Sequence, residues 1–161
     1  MTHAPDEPVG DADVASNGRR RWMSVLARAS LEELESAWAM LPDRPAHQWL
    51  RRPETGLAML RGRAGGSGER FNLGEASVTR CTVRTKPGMT GVAYILGRDA
   101  RRAELAALFD ALLQEGSASS GAAAGFIDTL AAAQAGGRDE AARKAAATRV
   151  DFYTLARGDT A

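Results

Sequence analysis

Reactive side chains are scarce in this 161-residue chain, which has one cysteine, Cys81, and two histidines, His3 and His47. A single thiol closes no internal disulfide, which predicts a reducing, cytoplasmic setting. Cys81 sits in a strand-like stretch and is expected as a small buried apolar group rather than a reactive thiol. No His/Cys cluster has ligand spacing, so no metal site is expected. A Ser–His–Asp or Cys–His device would have to use His47, and nothing nearby in the sequence argues for that role. No spacing singles out a carboxylate pair. No catalytic residue is assigned.

Long apolar runs are missing as well. None approaches the ~20 residues that cross a bilayer, and the opening "MTHAPDEPVGDADVASNG" has neither the basic nor the apolar region of a signal peptide. Aromatics are few, at 6%. Lysine is nearly absent, with 2 Lys against 19 Arg. Guanidinium groups grip phosphate and carboxylate as a planar fork, although an Ala-, Gly- and Arg-rich composition also follows from a GC-rich genome. The net charge of +1 hides an asymmetry. Residues 1–18 carry Asp6, Glu7, Asp11 and Asp13 and no Lys or Arg, so 21 basic against 16 acidic groups remain in the body.

What is present reads as one α+β unit. Residues 1–18 show no apolar period and are expected as a disordered tail. Trp22, Val25, Leu26 and Ala29 share a helical face. Ser30 and Glu33 then have capping-box spacing before the stripe Leu31, Leu34, Trp38 and Leu41, which Pro42 ends. The period next changes to that of strands. "HQWLRRP" reads as a short edge strand stopped by Pro53, followed by "TGLAMLRGRA", "EASVTRCTVRT" and "GVAYILG". Pro87 and Gly88 suit a type II turn, which predicts a hairpin over Glu75–Leu96. Leu105, Leu108, Phe109, Leu112 and Leu113 mark a helix capped by Asp99 and stopped near Gly116. Beyond it, "GSASSGAAAG" reads as a linker and the following Ala-rich stretches as weak helices. Val150, Phe152, Tyr153 and Leu155 form an apolar cluster at the far end. It either folds back on the sheet or docks on another chain, and the weak helices before it favour a partner. The expected organisation is a tail (1–18), an α+β core domain (19–115) and a C-terminal arm (116–161). The core would hold N-terminal helices, an antiparallel sheet of three to four strands and a long packed helix.

Two stretches invite a phosphate. "GRAGGSGER" lacks the Lys of a Walker A loop and is followed by strand rather than helix. It reads first as a turn in which Gly65, Gly66 and Gly68 supply φ > 0. A second possibility keeps Gly66, Gly68, Arg70 and Arg80 as anion contacts shared with another chain, with Arg63 beside them. "GRDARR" joins strand to helix, but Asp99 as a cap would compete with an anion there. A nucleic-acid or regulatory module is the alternative reading; Arg61, Arg63, Arg80 and Arg84 could line a strand face, although aromatic interleaving is missing.

The segments "RRRWMSVLARA", "ETGLAMLRGRAGGSGERFNLGEASVTRCTVR", "GVAYILGRDARRAELAALFDALLQ" and "RVDFYTLARGD", in this order, together resemble one family: the G subunit of the bacterial carbon–phosphorus lyase core complex (PhnG). The resemblance covers about residues 19–115 and 149–161. It implies a role in phosphonate utilisation. With the I, H and L subunits, such a subunit would serve α-D-ribose 1-methylphosphonate 5-triphosphate synthase activity, in which an alkylphosphonate and MgATP react and adenine is released. MgATP would be a substrate of the assembly, with no cofactor bound by this chain alone. The resemblance further implies packing against the I subunit in an assembly that also holds H and J, with no nucleic acid or membrane partner. It carries over no catalytic residue.

Overall fold

The computed structural model describes residues 11–63, 68–86 and 88–149. The elements run α1 (Asp11–Leu26), α2 (Leu31–Met40), β1 (His47–Gly62), β2 (Phe71–Thr85), β3 (Thr90–Leu96), α3 (Ala100–Leu113) and α4 (Ala118–Ala147). The three strands form one antiparallel sheet in the order β1-β2-β3. The α+β architecture read from the periodicities is present.

Local chemistry sets the boundaries. Ser30 and Glu33 form the full capping box: Ser30 Oγ accepts from the Glu33 N–H at 3.2 Å, and the Ser30 N–H donates to Glu33 Oε2 at 2.7 Å. Asp99 caps α3 by accepting from the Arg102 N–H at 2.9 Å. Gly88 and Gly116 have φ of 126° and 68°, which a side chain would resist. Pro87 lies outside the described residues.

The core is built on α3. Leu105, Leu108, Phe109 and Leu112 are buried, as are Ala103, Ala106, Ala107 and Ala111 between them. One side of α3 lies on the sheet, against Cys81, Val83, Ala93 and Ile95. The approach is close at Gly91, where a Cβ would overlap Ala107 O and come within 2.7 Å of the Ala111 nitrogen. The other sides take Val25, Leu26 and Ala29 of the first helix and its following turn, Leu34 and Ala37 of α2, and Ala123, Ile127 and Leu130 of α4. Phe109 stands edge-on to Trp38 at 5.8 Å and tilted against Phe126 at 5.4 Å.

Within this core one carboxylate is fully buried. Asp110, at 0% exposure, accepts from Arg19 Nε at 3.1 Å and Arg19 Nη2 at 2.7 Å, from Trp22 Nε1 at 2.9 Å and from the Val92 backbone N–H at 2.9 Å. Four donors thus surround two oxygens, and they tie α1 and the edge strand β3 to α3. The Arg19 pKa is raised, first by its hydrogen bond to Asp110, so its charge is held throughout the physiological range.

Three departures from the sequence reading have physical causes. Residues 11–18, expected in a disordered tail, are the first turns of α1. Arg19 and Trp22 anchor that helix on Asp110, and extending an anchored helix costs far less than nucleating one. The expected linker at 116–125 is mostly helix and merges with the Ala-rich stretches after it, so α4 runs 30 residues. Ser117 caps it by accepting from the Ser120 N–H, and Ala123, Ile127 and Leu130 anchor its first half on α3. The first half is packed into the core, and the second half is exposed. Finally, "HQWLRRP" and "TGLAMLRG" lie in one strand of 16 residues, β1. Pro53 is tolerated because β1 is an edge strand and its register with β2 shifts on both sides of Arg51.

Replacing Asp110 with Ala leaves an indole N–H and a backbone N–H without their acceptor, while Arg19, 38% exposed, can turn to water, a loss of about 1–3 kcal/mol. A denaturant titration of Asp110→Ala should show that drop at unchanged m-value; a midpoint equal to the parent's would remove Asp110 as the tie.

Candidate functional site

The sheet has two unlike faces. Odd-numbered residues of β2 from Thr79 to Thr85 point into the helices and are buried. Their even-numbered neighbours Arg80 and Arg84 are exposed on the outer face, beside Tyr94 and Leu96 of β3, which are 57% and 65% exposed. Pairing puts Arg80 opposite Tyr94 and Glu54, and Val78 opposite Leu96 and Gly56. Further along, a bulge alters the alternation. Leu60 pairs with Gly74 and Arg61 with Asn72, so Leu73 is an extra residue on β2. Leu73 lies over Gly62, where a Cβ would collide with its Cδ1. The bulge thus delivers Leu73, and Phe71 opposite Gly62, to the side of the hairpin that carries Leu60 and continues the outer face.

That face carries a concavity. Glu54, Gly56, Ala58, Val78, Arg80 and Tyr94 border an open depression of about 420 Å³. Its charged rim is internally tied: Glu54 Oε1 accepts from Arg51 Nη1 and from Arg80 Nε, each at 2.6 Å. Arg51 first, and Arg80 after it, hold the Glu54 carboxyl below its ordinary pKa.

The residues singled out for an anion are not gathered in one place. Gly66 lies outside the described residues. Gly68, with φ of 128°, and exposed Arg70 stand at the hairpin end before β2 begins. Arg80 is ten residues further on, roughly 30 Å at ~3.3 Å per residue, with its guanidinium on Glu54. In "GRDARR" the groups are used internally. Asp99 caps α3, Arg101 binds Glu35 at 2.8 Å and Glu104 at 2.9 Å, and Arg102 Nη2 donates to Ala27 O at 2.9 Å. These arginines fasten helices to one another. The terminal residues Val150, Phe152, Tyr153 and Leu155 lie outside the described residues.

The scarce reactive groups are placed as structural parts. His47 Nε2 is 3.4 Å from Glu104 Oε1, which also accepts from Trp49 Nε1 at 3.0 Å. Cys81 is fully buried, its Sγ donating to Arg51 O at 3.6 Å. Burial, and after it the nearby Glu104 charge, push the thiol up to about 11. Among the described residues no three His, Cys, Asp or Glu come together as metal ligands, and no helix is long and apolar enough to cross a membrane.

A helix-backed sheet in which Arg19, Arg80, Arg101 and Arg102 are engaged in internal ties, and whose open face exposes apolar side chains, has the build of an interaction subunit. The chain belongs to the PhnG family: the family model described as "Phosphonate metabolism protein PhnG" matches residues 17–158. A Rhizobium meliloti (strain 1021) protein described as alpha-D-ribose 1-methylphosphonate 5-triphosphate synthase subunit PhnG is 49% identical over 150 residues, covering 92% of this chain and 94% of its own length.

The outer apolar face and the Asp110 tie were both missed in the sequence. A polar–apolar mixture such as "FNLGEAS" hides a bulge, and Asp110 looks like one more charge on an amphipathic helix. Trp22 three residues after Arg19 was the available hint, since a buried indole N–H needs an acceptor.

With its pKa at about 11, Cys81 should be thiolate to only about one part in a thousand at pH 8. A thiol-titration reagent should react with the native chain only at the rate of unfolding; rapid stoichiometric labelling at pH 8 would contradict the burial.

Proposed function

We propose that this chain is the PhnG-type subunit of an α-D-ribose 1-methylphosphonate 5-triphosphate synthase, required for the activity without supplying its reacting groups. The observation that carries this reading is the near end-to-end identity with a relative described as a subunit of that synthase. In this reading the chain works in the cytoplasm with the I, H and L subunits, and with J in the larger assembly. An alkylphosphonate then replaces adenine on the ribose of MgATP at a site held by the other subunits.

The proposed anchor to the I subunit is the terminal cluster Val150, Phe152, Tyr153 and Leu155. Support for it lies in its place after the exposed half of α4, which offers no apolar stripe of its own. Arg70 is proposed as a contact to the triphosphate, supported by its exposed position beside Gly68 at the hairpin end. Arg80 is the weaker candidate because Glu54 holds it.

Adenine release from MgATP and methylphosphonate should require this chain when the I, H and L subunits are supplied; equal release without it would refute the reading. Truncation after Arg149 should abolish co-purification with the I subunit, and stoichiometric co-elution of the shortened chain would remove the terminal anchor. Arg70→Ala should raise KM for MgATP with assembly intact, and an unchanged KM would end that contact.

A further inference from the structure

The outer face of the sheet holds a second, separate surface. Leu60, Phe71, Leu73, Tyr94 and Leu96 are each between 45% and 65% exposed. Summed over the five, on the order of 500 Å² of mostly apolar surface is exposed along one face, in the range that the biggest patches on monomers reach. That is also a large part of the ~800 Å² one partner gives to a standard interface.

We propose that this face docks another subunit of the same synthase, through an apolar projection with an acidic rim whose central side chain seats in the depression floored by Gly56. The proposal rests on the subunit reading and adds where the second contact is made. The depression has the features of an anchor pocket. Gly56 and Ala58 keep its floor low, Val78 and Tyr94 give it apolar walls, and the Glu54–Arg80 pair borders it. Anchor pockets of this kind concentrate binding energy near the centre of an interface.

Charge selects the occupant. The face carries Arg51, Arg80 and Arg84 against Glu54. Two copies set face to face would oppose arginine to arginine, which disfavours a symmetric pair. Glu54 offsets one of these charges, and a partner with carboxylates around its apolar projection complements the remaining positive excess. The chain's own helices are committed to the opposite face, where α4 packs on α3 and α1.

The test uses the full chain with its co-expressed synthase subunits. A Cβ at Gly56 meets nothing within 4 Å, and its backbone is ordinary strand, so Gly56→Phe should fold while filling the pocket. Leu96→Asp is a second variant on the same face. Met40→Asp, on α2 at 78% exposure, is the control. Gly56→Phe and Leu96→Asp should each weaken assembly about ten-fold or more with parental melting curves, and Met40→Asp should assemble like the parent. Parental affinity in both face variants would overturn the docking surface and leave the subunit reading standing. If the unmodified chain fails to join the assembly, the subunit reading itself falls, and this proposal with it. A concentration-dependent dimer of the chain alone that Gly56→Phe abolishes would replace the proposed partner with a second copy. A gain in solvent labelling of Tyr94 on truncation after Arg149 would replace it with the chain's own terminal segment.

Discussion

A carboxylate with no access to water must find all its hydrogen bonds inside the protein, and Asp110 finds four. Most of the architecture obeys that demand. Arg19 and Trp22 can reach Asp110 only if α1 lies across α3, and the Val92 N–H can reach it only if β3 is the strand beside them. The apolar residues of α1, α2 and α4 then close around Phe109, and every helix ends on one side of the sheet. The other side is left open as a consequence. Burial of this kind is a weak source of net stability, but removing either partner strands the other.

The arginine excess takes on a different meaning in this light. Arg19, Arg80, Arg101 and Arg102 each end on a carboxylate or a carbonyl elsewhere in the fold. Exposed pairs such as Glu54–Arg80 add little stability, but they fix the direction of side chains around the depression. What the chain offers its surroundings is therefore shape and apolar surface more than reactive groups. That agrees with membership of a family in which a relative is described as one subunit of a synthase.

Sequence logic reached the parts governed by local rules. The capping box at Ser30 and Glu33, the cap at Asp99 and the apolar stripe of α3 depend only on residues a few positions apart, and all three stand as expected. Cys81 is the buried apolar group that its strand context implied. The failures are long-range. Nothing near Ser117 announces that Ile127 and Leu130 will find Phe109's neighbourhood, so α4 read as linker and fragments. Residues 11–18 are helical because of an anchor on an aspartate 91 positions beyond Arg19. The bulge at Leu73 reverses which residues face outward, and a period-2 reading has no means to detect it.

The central claim is that the helices pin one face of the sheet and leave the other for a neighbouring subunit. Hydroxyl-radical footprinting of the chain, alone and within the synthase assembly, tests it most directly. The account expects Leu73, Tyr94 and Leu96 to be labelled in the lone chain and protected in the assembly, while Phe109 and Leu105 stay protected in both. Equal labelling of Tyr94 and Leu96 in both states would contradict it.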